Sequence, residues 1–429
     1  MASNTNIDLR SQVIYSVYVR NHTAEGTFSA LRSDLDRIRA LGTDIIWLMP
    51  IHPIGIKGKK GSLGCPYANR DYRSVNPEYG TMEDFRQLVD AIHARGMKCI
   101  IDVVYNHTSP DAVLTTEHPE FFYRKPDGNM GNRVGDWTDV VDLDYNCKAL
   151  WDYQIESLKM WAGIVDGFRC DVASFMPVEF WCKAREAVEA VRPGCIWLAE
   201  TVHAGFSLLS RREGLYSASD YEMFRAFDME YDYDIREVFD KYLEGTIHLS
   251  HYLDMLNYQE CLYPENHIKM RCLENHDQPR IASYIHDTKI LQNYVAFLYF
   301  LKGSTLIYAG QEYRNKHVPS LFDKDVICRD PEADITPWLQ KMYALKHSLL
   351  SCSDHFLAKA DDEHDIAILT RDDNKTVKLG IFSLKGHAAE VSVDAPDGCY
   401  TDHISGQSIC VKNGKVTVTG EPMIISWTL

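Results

Sequence analysis

"GFRCDVAS", residues 167–174, sets an arginine and an aspartate two positions apart in an otherwise apolar stretch. Side chains two apart share one face of a strand, so Arg169 and Asp171 point the same way. A structural ion pair is one reading. A catalytic carboxylate kept ionised by a fixed cation is the other. The surroundings are regular: a helical run near 147–161 precedes the stretch, a second at 178–191 follows, and then comes another apolar strand, 195–201. Strands apolar on both faces and separated by helices are read as parallel.

The alternation continues in both directions. Strand patterns fall at 13–19, 43–50, 97–104, 165–172, 195–201, 224–229, 268–275 and 304–310. Helical patterns fall at 28–42, 81–96, 288–302 and 337–350, the second opening on Thr81 and Asp84 in capping-box positions. Eight βα units predict a closed (β/α)8 TIM barrel. Residues 105–146, after strand 3, are irregular and rich in Pro, Gly, Asp and Asn, and read as an insertion. From about 355 apolar and polar residues alternate, with Asp397-Gly398 and Asn413-Gly414 as turn signals, which predicts a C-terminal antiparallel β-sandwich domain. The expected division is 1–104 and 147–353 for the barrel, 105–146 for the insertion and 354–429 for the β domain.

Composition narrows the function. The 429 residues are 45% hydrophobic and 25% charged, as in ordinary globular proteins, and carry a formal net charge of -16. That charge argues against nucleic acid and anionic membrane as partners and leaves a neutral substrate open. The twelve cysteines are scattered without a CxxC pair, and several lie in apolar runs (Cys99, Cys170, Cys195), so they are expected as reduced core thiols. The N-terminal "MASNTNIDLR" lacks a signal-peptide pattern, and "NYVAFLYFLKGSTLIYAG" is broken by Lys302, Gly303 and Ser304 into a helix and a strand. The expected compartment is the cytoplasm.

In such barrels reactive side chains stand at the C-terminal ends of strands. Strand 3 ends with Asp102, Asn106 and His107. Strand 4 ends with Arg169 and Asp171, strand 5 with Glu200, and strand 7 with Glu274, Asn275, His276 and Asp277. Acids on three or more strands at one barrel end are costly unless paired or used. Two carboxylates across a cleft suit glycosidic cleavage, one ionised and one protonated. Arg169 favours the ionised form of Asp171. Glu200, with no cation beside it in sequence, is the expected proton donor.

Four stretches, "DVVYNH" (102–107), "GFRCDVAS", "WLAET" (197–201) and "ENHD" (274–277), occur in order and in strand context. Together they resemble the conserved blocks of the α-amylase family of retaining α-glucan enzymes, glycoside hydrolase family 13. "VVDLDYN" (140–146) resembles a fifth block, at the end of the inserted domain B, and "PYANRDYRSVNPEYGT" (66–81) and "GQE" (310–312) also fit. The resemblance implies Asp171 as nucleophile, Glu200 as general acid/base and Asp277 as third carboxylate. It implies His107, Arg169, His276 and Arg280 as substrate-binding groups and Tyr67 as an aromatic platform. Asp102 is expected to support strand 3. For Arg280 a surface salt bridge is the competing expectation.

The sequence also departs from the family. Many members carry Lys-His shortly after the nucleophile, with the His carbonyl on calcium. Here "DVASFMP" has Ser174-Phe175-Met176. Asn106 alone matches a calcium-ligand position, and Asp136 or Asp139 could add oxygens. No cofactor is expected to be required, with calcium kept as a second reading.

The implied activity is cleavage of α-1,4-glucosidic bonds in maltooligosaccharides or starch-type α-glucans. A 4-α-glucanotransferase or an α-glucosidase would use the same residues. A barrel serving only as a binding module is disfavoured because all three carboxylates are present. A metal-dependent hydrolase is disfavoured because His107 and His276 show no zinc-site spacing.

Overall fold

The computed structural model describes residues 2–134 and 137–429. Among the described residues, eight strands close into one barrel, in sequence order around the ring. They are β1 (Val13–Val17), β2 (Ile45–Leu48), β3 (Lys98–Val103), β4 (Gly167–Cys170), β5 (Ile196–Ala199), β6 (Met229–Tyr231), β7 (Lys269–Arg271) and β8 (Ser304–Tyr308). The ladders from β1 through β6, and that between β7 and β8, are parallel, as burial on both faces demanded. No helix among the described residues is long and apolar enough to cross a membrane.

The chain divides into two compact units. The first holds residues to Asn6, Ile14–Tyr231 and Pro319–Cys328. The second holds Ile7–Val13, Asp232–Val318 and Arg329–Leu429.

In the first unit, Met82–His93 starts on the expected capping box, Thr81 with Asp84. The helix expected over 28–42 is broken at Asp34 into Phe28–Ser33 and Leu35–Ala40. The Asp34 carboxylate is drawn to His22 Nε2 (2.7 Å) and Arg37 (2.8 Å). The sixth strand lies later than the expected 224–229. Ser219 and Glu222 cap a short helix, Asp220–Met223, and Ala226 and Phe227 donate back to Met223 O, so the chain is still turning there.

In the second unit, the C-terminal region holds a four-stranded antiparallel sheet of His355–Asp361, Ile366–Asp372, Thr376–Ser383 and Met423–Thr428. Two further ladders pair Ala389–Ser392 with Lys415–Val418 and Gly398–Thr401 with Ser408–Val411. Ile366, Ile381 and Ile425 from the sheet share one core with Val391, Val416 and Val418 from a ladder. Asn413 and Gly414 both have positive φ (53° and 67°), the turn their sequence announced. Asp397-Gly398 is not a tight turn. Gly398 begins a strand, and the Asp397 carboxylate accepts from the Asn413 and Gly414 amides (2.9 and 3.0 Å). The expectation of free thiols fails at one pair: Cys399 and Cys410, opposite each other across the second ladder, form a disulfide.

Candidate functional site

The glycine that opens β4 sets the geometry of the first unit's site. A Cβ on Gly167 would lie 2.3 Å from Ile196 O, so β4 and β5 pair this closely only without a side chain there. The ladder continues past both strand ends: Asp171 N donates to Val103 O and Glu200 N to Cys170 O, each at 3.0 Å. Asp171 and Glu200 thus stand one residue beyond adjacent strands, 6% and 8% exposed. Val172 then turns with φ 36° and ψ 41°, rare for a β-branched residue. The turn aims the Val172 amide at Glu200 Oε2, 2.8 Å away.

Arg169, fully buried, is the centre of this cluster. Nη1 donates to Asp102 Oδ1 (2.9 Å) and to Asp171 Oδ1 (2.8 Å). Nη2 makes an ion pair with Glu200 Oε2 at 2.9 Å. Nε reaches the Tyr231 hydroxyl at 3.1 Å. Trp47, Tyr67 and Tyr231 present their rings to the guanidinium, with centroids 5.2–5.6 Å away. The cation on Glu200 corrects one sequence expectation: the same arginine serves both acids. The two contacts differ in kind: Asp171 accepts a hydrogen bond from Nη1, whereas Glu200 pairs with Nη2 and accepts the Val172 amide.

Three carboxylates around one guanidinium leave an excess of negative charge, which favours retention of a proton within the cluster. Burial, with the charge of Asp171 adding to it, pushes the Asp102 carboxyl up, while Arg169 and the Tyr67 hydroxyl (3.1 Å) pull the other way. Asp102 is fully buried at the end of β3 and accepts a hydrogen bond from Arg169. Tyr67 is half-buried, with its hydroxyl on Asp102 and its ring toward Arg169. His107 is 4% exposed, in a two-residue strand (His107–Thr108) that pairs with Val141–Asp142, and its ring lies 5.3 Å from that of Trp137. The sequence reading missed Trp47 and Tyr231, which hold Arg169. Their signal was weak, because aromatic residues in barrel strands usually read as core.

The second unit carries the remaining expected residues. Asp277 has a side chain 41% exposed, and His276 Nε2 lies 3.1 Å from its Oδ2. Asn275 Oδ1 accepts from the Asp277 amide (2.9 Å), which fixes the turn. Arg280 is not at the surface: it is fully buried, and its guanidinium is spent on protein. Nη1 donates to Glu274 Oε1 (2.6 Å), Nη2 to Ala309 O (2.9 Å) and Nε to His317 O (3.2 Å), over the Tyr308 ring. The salt bridge kept as an alternative for Arg280 is thus present, but buried.

Two of the candidate calcium ligands named from the sequence, Asn106 and Asp139, have protein partners. The Asn106 amide lies against His107 Nδ1 (3.2 Å), and its main-chain oxygen accepts from Leu143 N. Asp139 pairs with Lys60 at 3.1 Å. Asp136 lies outside the described residues. Among the described residues no three His, Cys, Asp or Glu side chains gather as a metal-binding group. A calcium ion takes about six to eight oxygens.

A barrel with acids at the ends of its strands is an arrangement that glycoside hydrolases use. The alpha amylase catalytic-domain family matches residues 5–127 and 134–376, and the bacterial alpha amylase C-terminal domain family matches 358–425. The chain belongs to the α-amylase family.

Among solved structures, an alpha-amylase from Lactobacillus plantarum is similar with a TM-score of 0.94 at 44% identity, over 98% of this chain and 100% of that one. A noncanonic maltogenic alpha-amylase, AmyB from Thermotoga neapolitana, gives a TM-score of 0.87 at 31% identity, over 98% and 99%. Two curated relatives are longer proteins. The chain spans 30% of an alpha-1,4-glucan:maltose-1-phosphate maltosyltransferase from Rhodospirillum rubrum, at 35% identity over 43% of this chain. It spans 44% of alpha-amylase MalA from Haloarcula japonica, at 27% identity over 70% of this chain.

Proposed function

We propose that the protein hydrolyses α-1,4-glucosidic bonds of maltooligosaccharides and related α-glucans with retention, through a covalent glycosyl-enzyme intermediate. Asp171 attacks the anomeric carbon. Glu200 protonates the departing oxygen and then deprotonates water. Asp277 is the third carboxylate, and Tyr67, His107, Arg169 and His276 bind or frame the sugar. The observation that carries the reading is the sharing of one guanidinium by Asp171 and Glu200. Acids held by neighbouring nitrogens of one side chain suit the separation of about 5–5.5 Å used in retention better than the roughly 6.5–9.5 Å of inversion. NMR of the first product formed from maltotriose should show the α anomer; the β anomer would overturn the assignment of Asp171.

A second reading, transfer of the glycosyl group to another sugar, is favoured by the maltosyltransferase among the relatives. Chromatography of maltotriose digests separates the two, because products longer than the substrate require transfer. The proposed substrates are short glucans in the cytoplasm. Specificity constants that rise from maltotriose to granular starch would count against that preference.

A further inference from the structure

The 105–146 insertion buries acid. Asp142 is 2% exposed, and its Oδ1 has no hydrogen-bond partner among the described residues. Asp144 lies two residues on. A buried carboxylate of this kind needs a compensating cation. Arg133 approaches both acids. Its backbone amide donates to Asp142 Oδ2 (2.7 Å), and its Nη1 donates to Leu143 O (3.2 Å). The guanidinium stands 3.9 Å from Asp142 Oδ2 and 3.7 Å from Asp144 Oδ1, with its Cζ 4.2 Å from the Tyr123 ring centroid. A carbonyl and two carboxylates, all oxygens a hard divalent ion would accept, thus converge on one planar side chain. Arg133 also lines a cavity of about 320 Å³ with Asn106, Asp142 and Phe175, where the insertion meets the segment after Asp171.

The contacts lead on to the sugar-binding strand. Asp142 is the ladder partner of His107, and Leu143 N donates to Asn106 O at 3.0 Å. Whatever fixes 142–143 therefore fixes 106–107. We propose that Arg133 is the resident cation of the insertion, standing in for a bound metal, and a positioning residue that holds His107 through Asp142 and Leu143. A fork-shaped cation suits this better than lysine, because one group must serve a main-chain oxygen and two carboxylates at once.

The experiment uses the full chain, wild type and the variants Arg133→Met and Arg133→Lys, each with chelator and with added calcium. The wild-type Tm is expected to stay the same under both treatments. Arg133→Met is expected to have a lower Tm that calcium does not restore. Its KM for maltotetraose should rise about tenfold while kcat stays within about threefold, the signature of lost positioning rather than lost chemistry. Arg133→Lys should fall between the two and keeps the test open should the methionine variant fold poorly. A wild-type Tm that drops with chelator and recovers with calcium would overturn the resident-cation assignment. Folded variants with wild-type KM would overturn the positioning role. The KM arm rests on the function proposed above. If wild type does not act on maltooligosaccharides, that function fails, and the Tm comparison still decides the cation assignment.

Discussion

Two buried arginines, one in each unit, were candidates for substrate binding, Arg280 with a salt bridge as its alternative, and the structure gives them opposite surroundings. Arg280 meets one carboxylate, Glu274, and spends its other donors on main-chain carbonyls; Glu274 is 1% exposed and also accepts from Ile281 N at 2.7 Å. Its charge is matched one to one. Arg169 meets three carboxylates, two of which stand at the ends of their strands and keep some exposure. Its charge is outnumbered. A matched pair is what a fold needs to bury an ion. An outnumbered cation leaves reactive acid at the surface of a low-dielectric site, an arrangement associated with catalysis.

The largest expected effect tests whether the two strand-end acids of that cluster, together with Asp277 of the second unit, carry the chemistry. Asp171→Asn, Glu200→Gln and Asp277→Asn should each lower kcat by at least ~10³-fold, since general acid–base help alone contributes ~10²–10⁴. Their Tm should stay near that of wild type. Near-normal turnover in any one removes that residue from the mechanism.

Next comes the contrast between the arginines themselves. Arg280→Met should destabilise by about 3–5 kcal/mol by stranding Glu274, yet leave kcat of the folded protein within about threefold. Arg169→Met should lose at least about a hundredfold in kcat even in the fraction that folds. Equal losses of kcat in both variants, measured with folded protein quantified by circular dichroism, would abolish the distinction.

A subtler effect concerns pH. The Asp102 carboxyl is raised in the folded state, first by burial, so the folded chain binds more protons than the unfolded one above the ordinary carboxylate range of about 4. The stability it contributes is complete below that range and is lost as pH rises through the folded value. Asp102→Asn should flatten that part of the profile of urea midpoint against pH. An unchanged slope would show that Asp102 is not the raised group.

The smallest effect belongs to Val172. Glycine there releases strain of about 1–3 kcal/mol, but it adds chain entropy worth about 0.5–1 kcal/mol and gives up a buried side chain worth about 1.5–3 kcal/mol. Val172→Gly should still fold and be several-fold slower, because the amide on Glu200 is then less firmly aimed. A folded variant with unchanged kcat would break the link between that strained turn and the acid.

Most of the barrel was legible because its signals are local. Both-face apolar runs, helical spacing and the Thr81–Asp84 capping box each act within a few residues. The sixth strand was misplaced because Phe224 and Phe227 look like strand residues while the preceding capped helix carries the turn through them. The strand Gly398–Thr401 was missed because it shows no apolar alternation, and its pairing through Cys399 and Cys410 is a long-range fact. At the site, residue types at strand ends could be read directly. The sharing of Arg169 between Asp171 and Glu200 could not, since it depends on how closely Gly167 lets β5 approach.

That shared guanidinium has a consequence for the reaction cycle. With the proposed roles, the resting site holds an anionic Asp171 and a protonated Glu200. In the glycosyl-enzyme, Asp171 has become a neutral ester and Glu200, its proton given to the leaving group, is the anion. The negative charge has crossed from the Nη1 side of Arg169 to the Nη2 side without changing in amount. A fixed cation that lies 2.8 Å from one oxygen and 2.9 Å from the other attracts the charge almost equally before and after the step, so the arginine need not move as the bond breaks.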